Sequence, residues 1–172
     1  AFFFVNYEEF RLPESVTRTR RILNPAAQGG NYTYAGSDGV TRTINVLGVA
    51  PAGNASIPNT IDPTISSVLA AIRSSTSQGT VAAIGLNYQD FSFINTNQSV
   101  RKFFTSRFDF NLSKNHSLEN VTNFQVFRSP ADFLNSVDPT FPGFPNYGTQ
   151  DSDRYSNTTS LRSTLSQNLI NE

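Results

Sequence analysis

The chain has 172 residues, a formal net charge of zero at pH 7, 15% charged residues and no cysteine. The absence of cysteine excludes a disulfide framework and a thiolate metal site, and no basic cluster is strong enough to predict nucleic-acid binding. No apolar run approaches the ~18 residues of a membrane helix, but membrane strands stay possible because they alternate apolar and polar residues.

The first predicted strand covers residues 2–11, FFFVNYEEFR, and places Phe3, Val5 and Tyr7 on one face. We expect Pro13 to end this strand, since proline cannot donate to a ladder and forces its predecessor extended. The chain contains no methionine and begins inside an apolar run. We therefore expect an internal fragment of a larger protein.

Residues 12–101 are expected to form a long loop with modest structure of its own. Residues 31–34 and 40–46 predict a small hairpin around the glycine-containing turn 35–39, and residues 48–61 have loop composition. Residues 80–99 are expected to be irregular.

A helix is predicted within this loop, with Asp62 as N-cap and Pro63 at the first helical position. Four apolar residues then recur at i, i+3, i+4 and i+7, namely Ile65, Val68, Leu69 and Ile72. So short a helix needs an apolar partner, for which Tyr88, Phe91 and Phe93 are the candidates. We expect a folded extracellular cap that helps to select a solute, or else a protective loop without a role in transport.

The clearest pattern is a hairpin of two predicted strands, residues 102–112 and 117–128, joined by the turn 113–116. On one face the side chains are mostly apolar: Phe104, Phe108, Phe110, Leu118, Phe124 and Val126. On the other face they are polar or charged: Arg107, Asp109, Glu119 and Gln125. A soluble sandwich and an outer-membrane barrel both produce this alternation, although strands of about ten residues favour the barrel.

A second long loop is predicted at residues 129–155, followed by a strand at 156–166, a turn at 167–168 and the start of another strand. Long and short connections thus alternate. In a meander, all long loops then lie at one end of the strands and all short turns at the other, as in outer-membrane barrels. The predicted fold class is therefore all-β antiparallel: a partial transmembrane barrel with long extracellular loops, one of which contains a short helix.

Few residues have the pattern of a chemical site. His116 is the single histidine, so a zinc site is not expected, and no nucleophile or phosphate-loop motif appears. No enzyme activity and no cofactor are predicted, although a carboxylate pair and loop aspartates that bind calcium stay open. Polar strand residues, Arg107, Asp109, Glu119, Gln125 and Arg162, are expected to face a lumen. There they pair with one another and with plug residues, or line a solute path.

Six segments together resemble the barrel of TonB-dependent outer-membrane transporters with a carboxypeptidase-regulatory-like domain, often called Oar-like. They are FFFVNYEEFR at 2–11, the stretch 20–47, IDPTISSVLAAI at 61–72, RFDFNLSKNHSLE at 107–119, NSVDPTFPGFPNYG at 135–148 and LRSTLSQNLINE at 161–172. The resemblance implies movement of a bulky solute, by import or export, across the outer membrane of a Gram-negative bacterium. Its implied partners are membrane lipid, the remaining barrel, a plug, and TonB through other parts of the chain.

Two other classes of protein stay open at this point. One is a surface adhesin or other structural β protein of the cell envelope, and the other is a secreted β-rich hydrolase. A plug domain upstream in the parent gene would favour the transporter over both.

Overall fold

The computed structural model describes residues 1–172 as strands with a few short helices. The strands are β1 Phe2–Leu23, β2 Asn31–Ala35, β3 Thr41–Asn45, β4 Gly79–Ile84, β5 Tyr88–Asn111, β6 His116–Ser129, β7 Gln150–Ser166 and β8 Leu169–Asn171. The helices are α1 Pro25–Gln28, α2 Val46–Gly53, α3 Pro63–Ser75 and a 3-10 turn, Thr76–Gln78. No helix is long and apolar enough to cross a membrane.

The main sheet has the order β1-β5-β6-β7-β8, with β4 also paired to β5, and β2 and β3 form a separate two-stranded sheet. β5, β6, β7 and β8 follow one another as an antiparallel meander. The central hairpin is confirmed, with Phe104 opposite Phe124 and Asp109 opposite Glu119. The sheet is open, and the fold is that of an all-β, partial barrel, as predicted.

Three strands are longer than predicted. β1 continues to Leu23, β5 begins at Tyr88 and β7 begins at Gln150, so the first long connection covers residues 24–87 and the second residues 130–149. Pro13 does not end β1, because β1 lies at the edge of the sheet. An edge strand has one side without ladder partners, where a missing N–H costs nothing.

The start of β5 was predicted to be irregular because its inward positions are polar. Asn95, Asn97 and Ser99 are buried along with Phe91 and Phe93, which removes the alternation of apolar and polar residues. Asn97 Nδ2 donates to Ser129 Oγ at 2.9 Å, and Asn97 Oδ1 accepts from the Ala131 N–H at 3.0 Å. Satisfied polar groups of this kind are tolerated in a buried position.

Residues divide into two compact units. One contains 1–14, 96–138 and 146–172, and the other contains 15–95 and 139–145. In the second unit, Ile22, Phe91 and Phe93 form a buried cluster with Ile72 and Phe141 packed against it. The Phe91 and Phe93 ring centroids are 4.9 Å apart. The predicted small hairpin, β2–β3, belongs to this unit.

Helix α3 begins as predicted, since Asp62 Oδ1 accepts from the N–H groups of Thr64 at 2.8 Å and Ile65 at 3.2 Å. Its apolar stripe packs only at the C-terminal end. Ile72 reaches the aromatic cluster, whereas Ile65 and Val68 are 53% and 44% exposed. Of the expected partners, Phe91 and Phe93 belong to the cluster against which Ile72 packs, while Tyr88 is exposed.

Helix α2 is a correction to the loop expected at residues 48–61. Asn45 Oδ1 accepts from the N–H groups of Leu47 and Gly48 at 3.0 and 3.1 Å and so caps the helix. Glycines and Pro51 within the segment conceal this helix in the sequence.

Candidate functional site: the polar face of the sheet

The five polar residues predicted from alternation lie on one face of the main sheet. Asp109 is opposite Glu119, Gln125 is opposite Phe103, and Arg162 is opposite Ser117. Residues directly opposite each other in a ladder share a face, and odd positions of β5 and β6 match even positions of β7. We call this side the polar face. The other side, which carries Phe104, Phe108 and Phe124, is the apolar face.

Three of the five residues form an ion-pair network. Arg107 Nε donates to Asp109 Oδ2 at 3.0 Å, and Arg107 Nη2 donates to Glu119 Oε2 at 2.8 Å. Arg107 keeps 45% of its side chain exposed, so each pair is screened by water. This network offsets part of the charge of the polar face and links the side chains of β5 and β6.

Gln125 lies apart from this network and lines a cavity of about 600 Å³ on the same face. β5, β6 and β7 contribute Arg101, Phe127 and Arg154 to its wall, and β1 contributes Phe10, Leu12 and Glu14. The guanidinium carbon of Arg101 lies 4.9 Å from the centre of the Phe127 ring, the distance of a cation–π contact. We call this the arginine cavity.

Acidic groups beside the arginine cavity are engaged by the protein itself. Glu14 Oε2 accepts from Ser99 Oγ at 3.0 Å and from Asn97 Nδ2 at 3.3 Å. Asp132 is buried in the connection between β6 and β7. Its carboxylate accepts hydrogen bonds from the Leu134 N–H at 3.2 Å and from the Asn135 side chain. Both carboxylates therefore accept hydrogen bonds from neighbouring groups of the protein.

Arg162 lies in a separate, shallower cavity of about 370 Å³ near the turn between β5 and β6. Lys114 and His116 also line this cavity. His116 Nδ1 is 2.9 Å from Ser163 Oγ, so its ring is held by a neighbouring strand. The structure thus brings Arg107, Asp109 and Glu119 together and leaves Gln125 and Arg162 in two other places.

The apolar face has two bands of large side chains. Phe104, Phe124 and Tyr155 lie in one row across three strands, while Phe110, Leu118 and Leu161 form the other. Between these bands lies a polar patch of Ser106, Thr122, Asn157, Asn120 and Thr159, which sequence alternation did not emphasise. Most of the patch bonds to itself: Asn157 Nδ2 donates to Thr122 Oγ1 at 2.6 Å, and Asn120 Nδ2 donates to Thr159 Oγ1 at 2.7 Å.

A protein family described as Outer membrane beta barrel domain matches residues 1–172. The match covers the whole chain and agrees with the long antiparallel strands and the two contrasting faces of the sheet. The chain belongs to this family. No curated protein and no solved structure matches the chain.

Membership in the outer membrane beta barrel domain family places the protein in the outer membrane of a Gram-negative bacterium. It also implies contact with membrane lipid and indicates a structural or transport protein. No group of three or more His, Asp or Glu side chains lies close enough together to hold a metal ion.

Of the residues that line the arginine cavity, only Gln125 was predicted from the sequence as a site residue. Arg101 has the same parity along the strand as Arg107 and Asp109, but the predicted strand began at residue 102. Arg154 precedes the strand predicted at 156–166. If each predicted strand had begun at or before its arginine, alternation would have put both arginines on the polar face. Glu14 and Asp132 carry no comparable signal, since their positions depend on contacts distant in sequence.

Proposed function

We propose that this barrel domain is part of a TonB-dependent transporter that moves a bulky solute across the outer membrane. In this proposal the other parts of the protein supply a plug and the segment that contacts TonB. Support comes from the family, from the resemblance of six segments to Oar-like transporters, and from a polar face with a cavity.

One observation supports the proposal most strongly: connections of different length alternate along the sheet. Residues 24–87 and 130–149 form the long connections, whereas 112–115 and 167–168 form short turns. In a meander this puts the long connections at one end of the strands. Outer-membrane barrels have short periplasmic turns and long extracellular loops, so the long connections are assigned to the outside.

The two faces are assigned accordingly. The apolar face, with Phe104, Phe108, Phe110, Leu118, Phe124 and Val126, meets lipid, and the polar face, with Arg107, Asp109, Glu119, Gln125 and Arg162, lines the lumen. Bands of aromatic and aliphatic side chains suit hydrocarbon, whereas an ion-pair network requires water or other protein groups to solvate it.

Transport is tested in the native bacterium by comparing the spent medium of three strains: wild type, a deletion of this gene and a deletion of TonB. We expect at least one bulky solute to remain in the medium of both deletion strains and to be depleted by the wild type. Identical media from all strains, with surface attachment lost in the first deletion alone, would instead favour an adhesin.

The connection 24–87 is proposed to act in solute selection. Asn24 N–H donates to Asn87 O at 2.9 Å, so the two ends of the connection are already adjacent. A short Gly-Ser linker in place of residues 25–86 therefore spans the ends of β1 and β5, and it also removes β4, which pairs with the start of β5. Normal barrel assembly with lost uptake supports the selective role, while normal uptake assigns the connection to protection only.

A further inference from the structure

The arginine cavity contains two guanidinium groups of the polar face that form no ion pair. Arg107 pairs with two carboxylates, but the side chains of Arg101 and Arg154 have no hydrogen bond and no ion pair. Arg101 is opposite Phe127 in the ladder, and Arg154 is opposite Gln125. The two guanidinium groups therefore flank strand β6 from both sides of one cavity.

The remaining wall supplies apolar surface at the same place. Phe10 and Leu12 are 52% and 42% exposed where they line the cavity, and the ring of Phe127 lies beneath Arg101. Large apolar side chains beside unpaired guanidinium groups suit a ligand with both characters. A cavity of about 600 Å³ is also of the size that holds a small molecule.

Three carboxylates, Glu14, Asp132 and Asp151, also line the cavity and keep their negative charge, but none of them forms an ion pair with Arg101 or Arg154. Glu14 and Asp132 accept hydrogen bonds from the surrounding protein, and Asp151 Oδ2 accepts from Thr149 Oγ1 at 3.3 Å. A guanidinium stacked on an aromatic ring keeps its N–H edge available, and that edge matches a carboxylate in two parallel hydrogen bonds. The N–H groups of both guanidiniums are thus free to donate to an acceptor on a ligand.

From these observations we propose that the arginine cavity binds a small ligand with an apolar body and a carboxylate. The carboxylate lies between Arg101 and Arg154, and the apolar body packs on Phe10, Leu12 and Phe127. This site does not rest on the transport function, because it is defined by equilibrium binding to the purified protein. Its failure would leave the comparison of spent media unchanged.

Three probes with the same phenylalanine side chain test the proposal by calorimetry on the intact protein in detergent. They are N-acetylphenylalanine, its neutral amide, and the cationic phenylalaninamide. We expect the acid to bind at least ~10-fold more tightly than the neutral amide, since each charge-assisted hydrogen bond contributes substantially to affinity. Equal affinities, tighter binding of the cation, or no binding of the acid at millimolar concentration would each overturn the proposal.

Variants then locate the site. Arg101→Gln and Arg154→Gln should each weaken binding of the acid ~10-fold or more and leave the neutral amide unchanged. Lys102→Gln is the matched control, because Lys102 is adjacent to Arg101 and lies opposite Val126 on the apolar face. Equal losses in Arg101→Gln and Lys102→Gln would contradict the site. If either glutamine variant fails to assemble, Arg101→Lys and Arg154→Lys keep the charge, and the three-probe comparison on the wild type still decides.

Discussion

The two faces of β5, β6 and β7 satisfy the hydrogen bonds of their polar side chains in different ways. On the polar face, Arg107, Asp109 and Glu119 form ion pairs whose side chains are 31–45% exposed. On the apolar face, Asn120, Asn157 and their threonine neighbours bond only among themselves, between two bands of large apolar side chains. Charged side chains also occur on the apolar face, where Lys102 and the Arg128–Asp153 ion pair lie beyond the row of Phe104. The difference teaches that, between the two apolar bands, the polar groups are neutral and bond to one another, whereas the polar face of the same strands carries ion pairs.

A charge placed on the apolar face is the largest perturbation of this comparison. Phe108→Arg should destabilise the protein in lipid vesicles by about 2–4 kcal/mol, the cost of an arginine facing lipid near the bilayer midplane. Thr105→Arg, on the polar face of the same strand, should change stability by no more than about 0.5 kcal/mol. Urea unfolding in vesicles measures both values. Equal costs at the two positions would contradict the assignment of faces.

The polar patch gives a smaller effect that depends on neighbours bonding to one another. Asn120 Nδ2 donates to Asn157 Oδ1 at 3.2 Å as well as to Thr159. A double-mutant cycle of Asn120→Ala and Asn157→Ala should give a coupling of about 0.6 kcal/mol, the average for side-chain hydrogen bonds within membranes, and no more than about 1.7 kcal/mol. This coupling should not change between low and high salt, because lipid excludes ions from the apolar face. A coupling of zero would show that the hydrogen bond between Asn120 and Asn157 does not contribute to stability.

The ion pair between Arg107 and Glu119 should contribute less and respond to salt. A cycle of Arg107→Gln and Glu119→Gln should give a coupling of about 0.2–1 kcal/mol at low ionic strength, as for exposed pairs. At 1 M salt, where the Debye length is about 3 Å, the coupling should largely disappear. A salt-independent value would mean that this part of the polar face excludes water.

The smallest effect is expected at an ion pair outside the main sheet. In the β2–β3 hairpin, hydrogen bonds from Arg42 lower the pKa of the Asp38 carboxyl from 3.8 to about 2. Because the folded pKa is depressed, its contribution to stability is present above pH 4 and is lost as the pH falls towards 2. A carboxyl-carbon NMR titration should therefore show a higher midpoint for Asp38 in Arg42→Gln than in the wild type. Equal midpoints would contradict the pairing.

The sequence by itself determined the local elements of this protein. Strict alternation located the hairpin of residues 102–128 and its two faces, and the Asp62-Pro63 cap located the start of α3, because both signals act between residues that are close in the chain. The contrast between long and short connections also followed directly from where turn residues occur. These features led to the outer-membrane barrel class that the family confirms.

Only the tertiary structure decided how far the strands extend and which side chains form a cavity. β1 passes through Pro13 because it is an edge strand, and β5 begins at Tyr88 because its buried asparagines find partners elsewhere in the fold. Neither extension can be predicted from neighbouring residues alone, since a polar side chain is expected to be exposed unless its hydrogen-bond partner is known. For the same reason the sequence indicated Gln125 alone, whereas ladder pairing across three strands brought Arg101 and Arg154 beside it.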